Sequence, residues 1–218
     1  MIPLRYILRS LGRRKLRTAM TILGVALVVA LFAAMSAVAE TMVRSFQTTG
    51  TPEEVFIVQG GAITTDFSHV PRSTLGYIQT LDGVATEGDR PLVSPEIQIG
   101  SVARVAGVER DLSLRGVTDI AARVYTQVRL VEGSWPGSGF QVTIGRTASI
   151  KLGLGIGDSL EFEGERWTIV GILDGGGRVY DQEVWTDLDE LAAASHRTTY
   201  TSYLVRARDT SAASQLIE

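Results

Sequence analysis

The chain has 218 residues, no cysteine, two histidines and a formal net charge of −3. The lack of cysteine excludes disulfides and thiol chemistry, and two histidines are too few for a histidine-rich metal site. Hydrophobic residues make up 44% of the chain and only 6 residues are proline, so a folded body is expected rather than a disordered one.

An uncharged apolar segment lies near the N-terminus. Residues 18–39 read TAMTILGVALVVALFAAMSAVA, and none of these 22 positions is charged. A helix of this length is about 33 Å long, which is enough to cross the hydrocarbon core of a bilayer. We therefore predict a transmembrane helix. A cleaved signal peptide is the alternative, because Ala37-Val38-Ala39 before Glu40 fits a cleavage site, although the apolar run is longer than usual for such peptides.

The charges on either side of this segment predict its orientation. Six of the 21 Lys and Arg residues precede it, so the remaining 15 face all 24 acidic residues and the later part carries a net charge of −9. Basic residues stay on the cytoplasmic side, which places residues 1–17 inside and 40–218 outside. No nucleic-acid partner is expected, because the basic segment stops where the apolar run begins.

The first residues also show a helical pattern. Leu4, Ile7, Leu8 and Leu11 are spaced to share one face of a helix. A basic amphipathic helix before a membrane span is expected to lie in the interface, with a bend at Gly12. A simple extension of the membrane helix into the cytosol is the alternative.

Short strands and helices alternate after the membrane segment. The pattern predicts a strand at Val55–Gln59, a helix capped by Ser73 that runs to Leu81, and an alternating stretch from Val102 to Val117 with Leu112 and Leu114 on one face. Strand, helix, strand and strand in this order suggest half of an α/β sandwich with its helices on one face of the sheet.

The region after residue 130 is rich in glycine and in strand pairs. Two expected arms, with Leu160 and Phe162 on one and Trp167 and Ile169 on the other, flank Gly164 as a hairpin. Asp187 with Glu190 three residues later predicts the start of a helix that runs to about Ser195. The other predicted elements are the strand Gln141–Ile144, the helix Arg146–Leu152, the strands Val179–Trp185 and Tyr200–Ala207, and a helix that begins at Asp209.

A search for reactive motifs names no catalytic, cofactor-binding or metal-binding residue. Gly153-x-Gly155-x-Gly157 follows a helix and precedes a strand, which is the wrong order for a nucleotide fingerprint. No P-loop and no G-x-S-x-G motif occur, so the chain is not expected to be an enzyme. An acidic set does not have the spacing of a calcium loop, and a solvated face is the simpler interpretation: Asp174, Asp181, Glu183, Asp187, Asp189 and Glu190. The three tryptophans, Trp135, Trp167 and Trp185, are expected in the core.

Several short motifs resemble one known family. They are Arg17-Thr18-x-x-Thr21-x-x-Gly24, Glu132-Gly133-x-Trp135-Pro136, Gly145-Arg146, Ala148, Leu152-Gly153-Leu154, Gly157-Asp158, Val170-Gly171-Ile172, Gly177 and Glu183-Val184-Trp185. As a set they are similar to the N-terminal half of a MacB/FtsX-type ABC transporter permease. Most of these positions are turn glycines and apolar core residues, so they indicate a fold and not a reaction.

This resemblance implies an α+β protein with one N-terminal transmembrane helix and a two-lobed extracytoplasmic core domain. A porter-like α/β lobe would comprise about 50–120 and 198–218, and a Gly-rich β lobe about 121–197. The implied location is the bacterial inner (cell) membrane. The implied partners are a cytoplasmic ABC ATPase, a second permease half or a homodimer partner, and in some systems a periplasmic adaptor.

Family members also carry a second half with three more membrane helices, which this sequence does not contain. We therefore expect either a truncated chain or a split gene, and no transport by this chain alone. The function implied is that of a permease part that couples the ATPase to the extracytoplasmic domain for export or mechanotransmission. The alternative is a membrane-anchored binding or sensor module without an ATPase.

Overall fold

The computed structural model describes residues 15–47, 50–62 and 64–217, and it divides into two compact units at residue 48. In the first unit, helix α1 (Lys15–Gln47) confirms the predicted helix. Its stretch Lys15–Ala37 has a mean hydropathy of 2.3 and contains no buried residue, and by length and composition it is able to cross a membrane. The predicted interfacial helix, including Gly12, lies in residues 1–14, outside the described part of the chain.

The second unit, described on its own, is a mixed α/β domain. Its strands are β1 (Glu54–Ile57), β2 (Thr86–Glu87), β3 (Arg90–Pro91), β4 (Val93–Val105), β5 (Val108–Val117), β6 (Arg129–Gly133), β7 (Gln141–Gly145), β8 (Ser159–Phe162), β9 (Glu165–Asp174), β10 (Glu183–Asp187) and β11 (Ser202–Arg206). Its helices are α2 (Thr74–Gln79), α3 (Ala121–Val124), α4 (Arg146–Leu152), α5 (Leu188–Ala194) and α6 (Thr210–Ile217), with 3₁₀ turns at Thr65–Phe67 and Val179–Gln182.

Within the described residues, nine strands join in one sheet in the order β1-β11-β4-β5-β10-β7-β9-β6, and β8 pairs with both β9 and β4. The strands β4, β5, β10, β7, β9 and β8 therefore close into a ring, through Arg104 opposite Glu161. The pairs β5–β10 and β7–β9 are parallel and the other pairs are antiparallel. Strand β5 belongs to the expected porter-like lobe and β10 to the expected Gly-rich lobe, so their pairing carries hydrogen bonds across the boundary expected at residue 121. The two-lobe division stays a prediction.

The sheet separates a larger and a smaller core. All six ring strands contribute alternate residues to the larger core, as the interior of a small barrel requires. Leu112 and Leu114 lie there together, as predicted. The smaller core lies on the opposite face of the sheet, under α3, and contains Val117, Leu173 and Leu204. Both faces of the C-terminal half of β5, from Leu112 to Val117, thus face buried cores.

Several predicted local structures are confirmed. Glu163 and Gly164 have φ angles of 50° and 79° in the β8–β9 hairpin, so both residues of this two-residue turn are left-handed. Helix α4 ends at Gly153 in the left-handed conformation. The carboxylate of Asp187 accepts from the backbone N–H groups of Asp189 and Glu190 and caps α5.

Two local predictions are wrong. Val179–Gln182 forms a 3₁₀ turn and not a strand, because the Asp181 carboxylate accepts from the N–H groups of Gly175 and Gly177 and holds the chain in a turn. The Ser73 side chain makes no capping hydrogen bond, because the backbone of Ser73 already has helical dihedral angles. The chain begins to turn before Ser73, where the Thr74 N–H donates to the carbonyl of Pro71.

The predicted strands Val55–Gln59, Gln141–Ile144 and Tyr200–Ala207 agree with β1, β7 and β11 to within about two residues at each end. The predicted stretch Val102–Val117 is divided between the end of β4 and the whole of β5, because Ala106 and Gly107 turn the chain with φ angles of 48° and 82°.

Candidate functional site

Two glutamates and one arginine are buried together on the face of the sheet that lies under α3. Arg115 donates from Nε and Nη2 to the two carboxylate oxygens of Glu183, at 2.7 and 2.8 Å, and from Nη1 to Oε2 of Glu96 at 2.5 Å. These three side chains are at most 3% exposed. The Tyr125 hydroxyl donates to Glu96 and the Trp185 indole to Glu183, at 2.9 Å each. We call these five residues the junction cluster.

The register of three neighbouring strands builds this cluster. Arg115 on β5 lies opposite Gln98 of β4 on one side and opposite Trp185 of β10 on the other. Successive side chains of a strand point to opposite faces, so the polar positions of β4, β5 and β10 meet under α3 while their apolar neighbours fill the larger core. The cluster therefore joins β4 to the parallel pair β5–β10.

Burial and pairing set the protonation of these groups. Burial alone would lower the pKa of Arg115, but the carboxylates of Glu183 and Glu96 hold that pKa well above its ordinary value. Burial raises the pKa of Glu96, and the guanidinium of Arg115 opposes that rise only in part. Burial also raises the pKa of Tyr125 well above its ordinary value. Arg115 and Tyr125 therefore stay protonated, as donors to the carboxylates.

Aromatic rings enclose the cluster. The Tyr125 ring lies 5.1 Å from that of Tyr180 and 4.9 Å from that of Trp185, between centroids. The guanidinium carbon of Arg115 is 5.6 to 5.9 Å from the centroids of these three rings, within range of a cation–π interaction. Trp135 contacts Trp185 at 6.0 Å and reaches an apolar cleft of about 300 Å³. Trp167 and Trp185 are fully buried, as predicted, and Trp135 is half-buried.

Three glycines of the quoted motifs lie where the backbone leaves no room for a side chain. A Cβ atom on Gly133 would lie 2.0 Å from the carbonyl oxygen of Val170, and one on Gly171 would lie 2.4 Å from that of Ser134. A Cβ atom on Gly145 would lie 2.4 Å from the carbonyl group of Asp181. The motifs Glu132-Gly133-x-Trp135-Pro136, Val170-Gly171-Ile172 and Glu183-Val184-Trp185 thus meet in one place.

The acidic set is dispersed by the fold. Glu183 belongs to the junction cluster, Asp181 holds the Gly175–Gly177 turn, and Asp174 pairs with Arg146 at 3.1 Å. The Glu190 carboxylate accepts from the backbone N–H groups of Gly139 and Phe140. Within the described residues, no group of three or more His, Cys, Asp or Glu side chains is placed to hold a metal ion.

The histidines lie apart from the junction cluster. His69 Nδ1 is 3.1 Å from the Thr199 hydroxyl, and His196 is exposed at the end of α5. The ion pairs of the junction cluster are buried, and they connect β4 to β5 and β10.

Sequence reasoning missed Glu96 and Arg115. Glu96 starts a clean alternation, Glu96-Ile97-Gln98-Ile99, whose polar positions are normally read as solvent-facing. In this fold α3 covers the second face of the sheet, so Glu96 is buried and Gln98 is half-buried. Arg115 lies between Leu114 and Gly116 in an otherwise uncharged part of β5. This charged position in a predicted strand weakly indicated an acidic partner on that face of the sheet.

Comparison with known proteins gives one family and a set of similar folds. Residues 18–218 match the family model described as the MacB-like periplasmic core domain. The periplasmic region of MacB from Actinobacillus actinomycetemcomitans has a similar fold, with a TM-score of 0.58 and 12% identity, over 76% of this chain and 82% of that one. The extracellular domain of the noncanonic ABC-type transporter YknZ from Gram-positive bacteria gives a TM-score of 0.55 and 16% identity, over 75% and 90%. No curated protein matches the sequence.

Proposed function

Since the chain belongs to the family of MacB-like periplasmic core domains, we propose that it is the anchored extracytoplasmic part of an ABC transporter permease. In this role it couples a cytoplasmic ATPase to events outside the membrane, in export or mechanotransmission. The observation that carries the proposal is that one family model spans both the apolar helix and the core domain.

The proposed location follows from the charges around α1. Residues 1–17 lie in the cytoplasm and 40–218 outside, in the bacterial inner (cell) membrane, because basic residues precede the helix and the first acidic residue follows it. The ATPase contributes nucleotide hydrolysis, and a second permease half or a homodimer partner is the partner within the membrane. A periplasmic adaptor is a further partner in this scheme.

The junction cluster supports a mechanical role. Strand β4 pairs with β11 at Val93–Glu96 and with β5 from Ile97 onward, so it runs from the β1–β11 end of the sheet into the ring. The ion pairs of Arg115 connect β4 to β5 and β10 near Ile97, where the pairing partner of β4 changes from β11 to β5. A domain whose strands are connected in this way is able to pass displacement from one end of the sheet to the other, as a mechanical role requires.

Site-specific crosslinking in native membranes tests the coupling. A photoreactive residue at position 15, on the N-terminal side of α1, is expected to crosslink to an ABC ATPase, recognised by its P-loop peptide in mass spectrometry. The matched control places the same residue at exposed position 165 in the β8–β9 turn, where no ATPase crosslink is expected. Crosslinks from position 15 that contain no ATPase would favour the anchored binding or sensor module instead.

A further inference from the structure

One oxygen of Glu96 has no partner although the side chain is fully buried. Oε2 accepts from Arg115 and from the Tyr125 hydroxyl. Within the described residues, Oε1 is inaccessible to solvent and has no hydrogen-bond partner. A charged carboxylate oxygen in this position would be costly, because nothing there replaces the hydrogen bonds it makes in water.

The charges of the cluster do not balance. Glu96 and Glu183 together bring two negative charges against the one positive charge of Arg115, and all three are buried. Glu183 accepts two hydrogen bonds from the Arg115 guanidinium and one from the Trp185 indole N–H. Its negative charge is therefore the one that the guanidinium neutralises. One further positive charge near Glu96 would make the cluster neutral.

Two hydroxyl groups, unpartnered among the described residues, lie on the same face of the sheet as Glu96. Ser202 of β11 is directly opposite Glu96 in the antiparallel pair, and Ser94 lies two residues before Glu96 on the same face of β4. Their Oγ atoms are buried and, among the described residues, also lack partners. The Ser202 hydroxyl makes no hydrogen bond to Oε1 in this structure. Directly opposite residues have Cβ atoms about 4.5–5.5 Å apart, so a rotation of the Ser202 or Glu96 side chain would bring the two oxygens within hydrogen-bond distance.

Among the described residues, Arg115 is the one cation that bonds to Glu96, and the other charged and titratable groups around it are as follows. The 3₁₀ turn Val179–Gln182 contributes the Tyr180 hydroxyl, which is buried and unpartnered among the described residues, and Tyr180 also lies within the field of Glu54 on β1. The turn Thr65–Phe67 contributes Asp66, whose charge faces Arg197. Glu54 faces Arg206. Helices α2 and α5 cover the opposite face of the sheet with apolar residues of the larger core.

We propose that Glu96 is a buried proton-binding site, which keeps its proton at neutral pH and donates from Oε1–H to the Ser202 hydroxyl. The cluster then consists of the neutral acid Glu96 and the ion pair between Arg115 and Glu183. One hydrogen bond then supplies a partner to both Oε1 of Glu96 and Oγ of Ser202. The inference rests on the fold and not on the proposed transporter role.

The proton also links this site to movement of the domain. Separation of β11 from β4 would expose Glu96 to water, where its pKa returns to the ordinary range and the proton leaves. The closed arrangement of β11, β4 and β5 therefore holds one more proton than an opened one, and high pH favours opening.

Two isosteric variants of the full chain in detergent test the proposal. Glu96→Gln mimics the protonated acid and is expected to be at least as stable as the wild type at pH 7–8, whereas Glu183→Gln breaks the bidentate pair and is expected to be less stable. Between pH 5 and 7 the folding equilibrium constant of the wild type is expected to fall about tenfold per pH unit relative to Glu96→Gln, because the folded state keeps a proton that the unfolded state releases. Equal destabilisation by both variants, with parallel pH profiles, would overturn the proposal.

Infrared spectroscopy of the wild type tests the protonation of Glu96 directly, even if a variant does not fold. A protonated carboxyl C=O stretch is expected at pH 7, absent in Glu96→Gln and shifted to higher frequency in Ser202→Ala, where the acceptor is lost. Absence of this band in the wild type would overturn the proposal. So would stabilisation by Na⁺ over N-methylglucamine that disappears in Glu96→Gln, because the site would then hold a metal cation in place of the proton.

Discussion

Gly133 on β6 lies directly opposite Gly171 on β9, and neither position has room for a side chain. The chain of Ser134 passes so close to Gly171 that the two strands meet backbone to backbone. This contact brings the turn that carries Trp135 against the ring and so positions Trp135 against Trp185.

The first prediction concerns this contact. Gly171→Ala is expected to destabilise the protein by about 2 kcal/mol or more, because the added methyl group would overlap the carbonyl oxygen of Ser134. Gly100→Ala on β4 is the control, since a Cβ there has no atom within 4 Å. Chemical unfolding of the full chain in detergent measures the stability of both variants. Equal unfolding midpoints would mean that Gly171 and the Ser134 carbonyl are far enough apart to leave room for a methyl group.

The second prediction concerns the β8–β9 hairpin. Gly164 has open space around it, so any cost of substitution comes from its φ angle of 79°. Gly164→Val is expected to lower stability by more than about 1 kcal/mol, and Gly164→Asn by clearly less, because Asn tolerates the left-handed region. Thermal unfolding of the two variants separates the effects, and an unchanged melting temperature for Gly164→Val would contradict a left-handed turn.

The third prediction compares a buried ion pair with an exposed one. Arg115→Met leaves the carboxylate of Glu183 buried without its cation and is expected to cost about 3–5 kcal/mol. Arg166→Ala removes the surface pair with Glu161, whose arginine is 71% exposed, and is expected to cost less than about 1 kcal/mol. Similar losses in the two variants would show that the junction cluster is open to solvent.

The fourth prediction concerns alkaline pH. Burial raises the pKa of Tyr203 to about 12, and its hydroxyl donates to the carbonyl of Pro71. Because the folded pKa lies above the ordinary value near 10, the folded state keeps a proton that the unfolded state loses, so stability is expected to fall as the pH rises from 10 to 12. Tyr203→Phe is expected to flatten that part of the profile. Identical slopes for the wild type and this variant, by circular dichroism against pH, would refute the assignment.

Local signals in the sequence were enough to predict several elements. The apolar run of α1, Gly153 after α4 and Asp187 before α5 each act within a few residues, so their structure follows from spacing and residue type. The junction cluster depends on residues far apart in the chain, since Arg115 is 19 residues from Glu96 and 68 from Glu183. No local pattern reports such pairing. The turn at Val179–Gln182 was missed although its contacts are local, because the Asp181 carboxylate bonds to glycines four and six residues away and so overrides the strand pattern.

The position of the core domain outside the membrane is the central claim, and cysteine labelling tests it most directly because the natural chain contains no cysteine. Lys15→Cys and Glu165→Cys place single thiols at exposed positions on α1 and on the β8–β9 hairpin. With a membrane-impermeant maleimide on spheroplasts, we predict labelling of the Glu165→Cys chain at once and of the Lys15→Cys chain only after lysis. Labelling in the reverse order would contradict the account. So would an intact mass that corresponds to a chain beginning at Glu40, since α1 would then be a removed signal peptide and not an anchor.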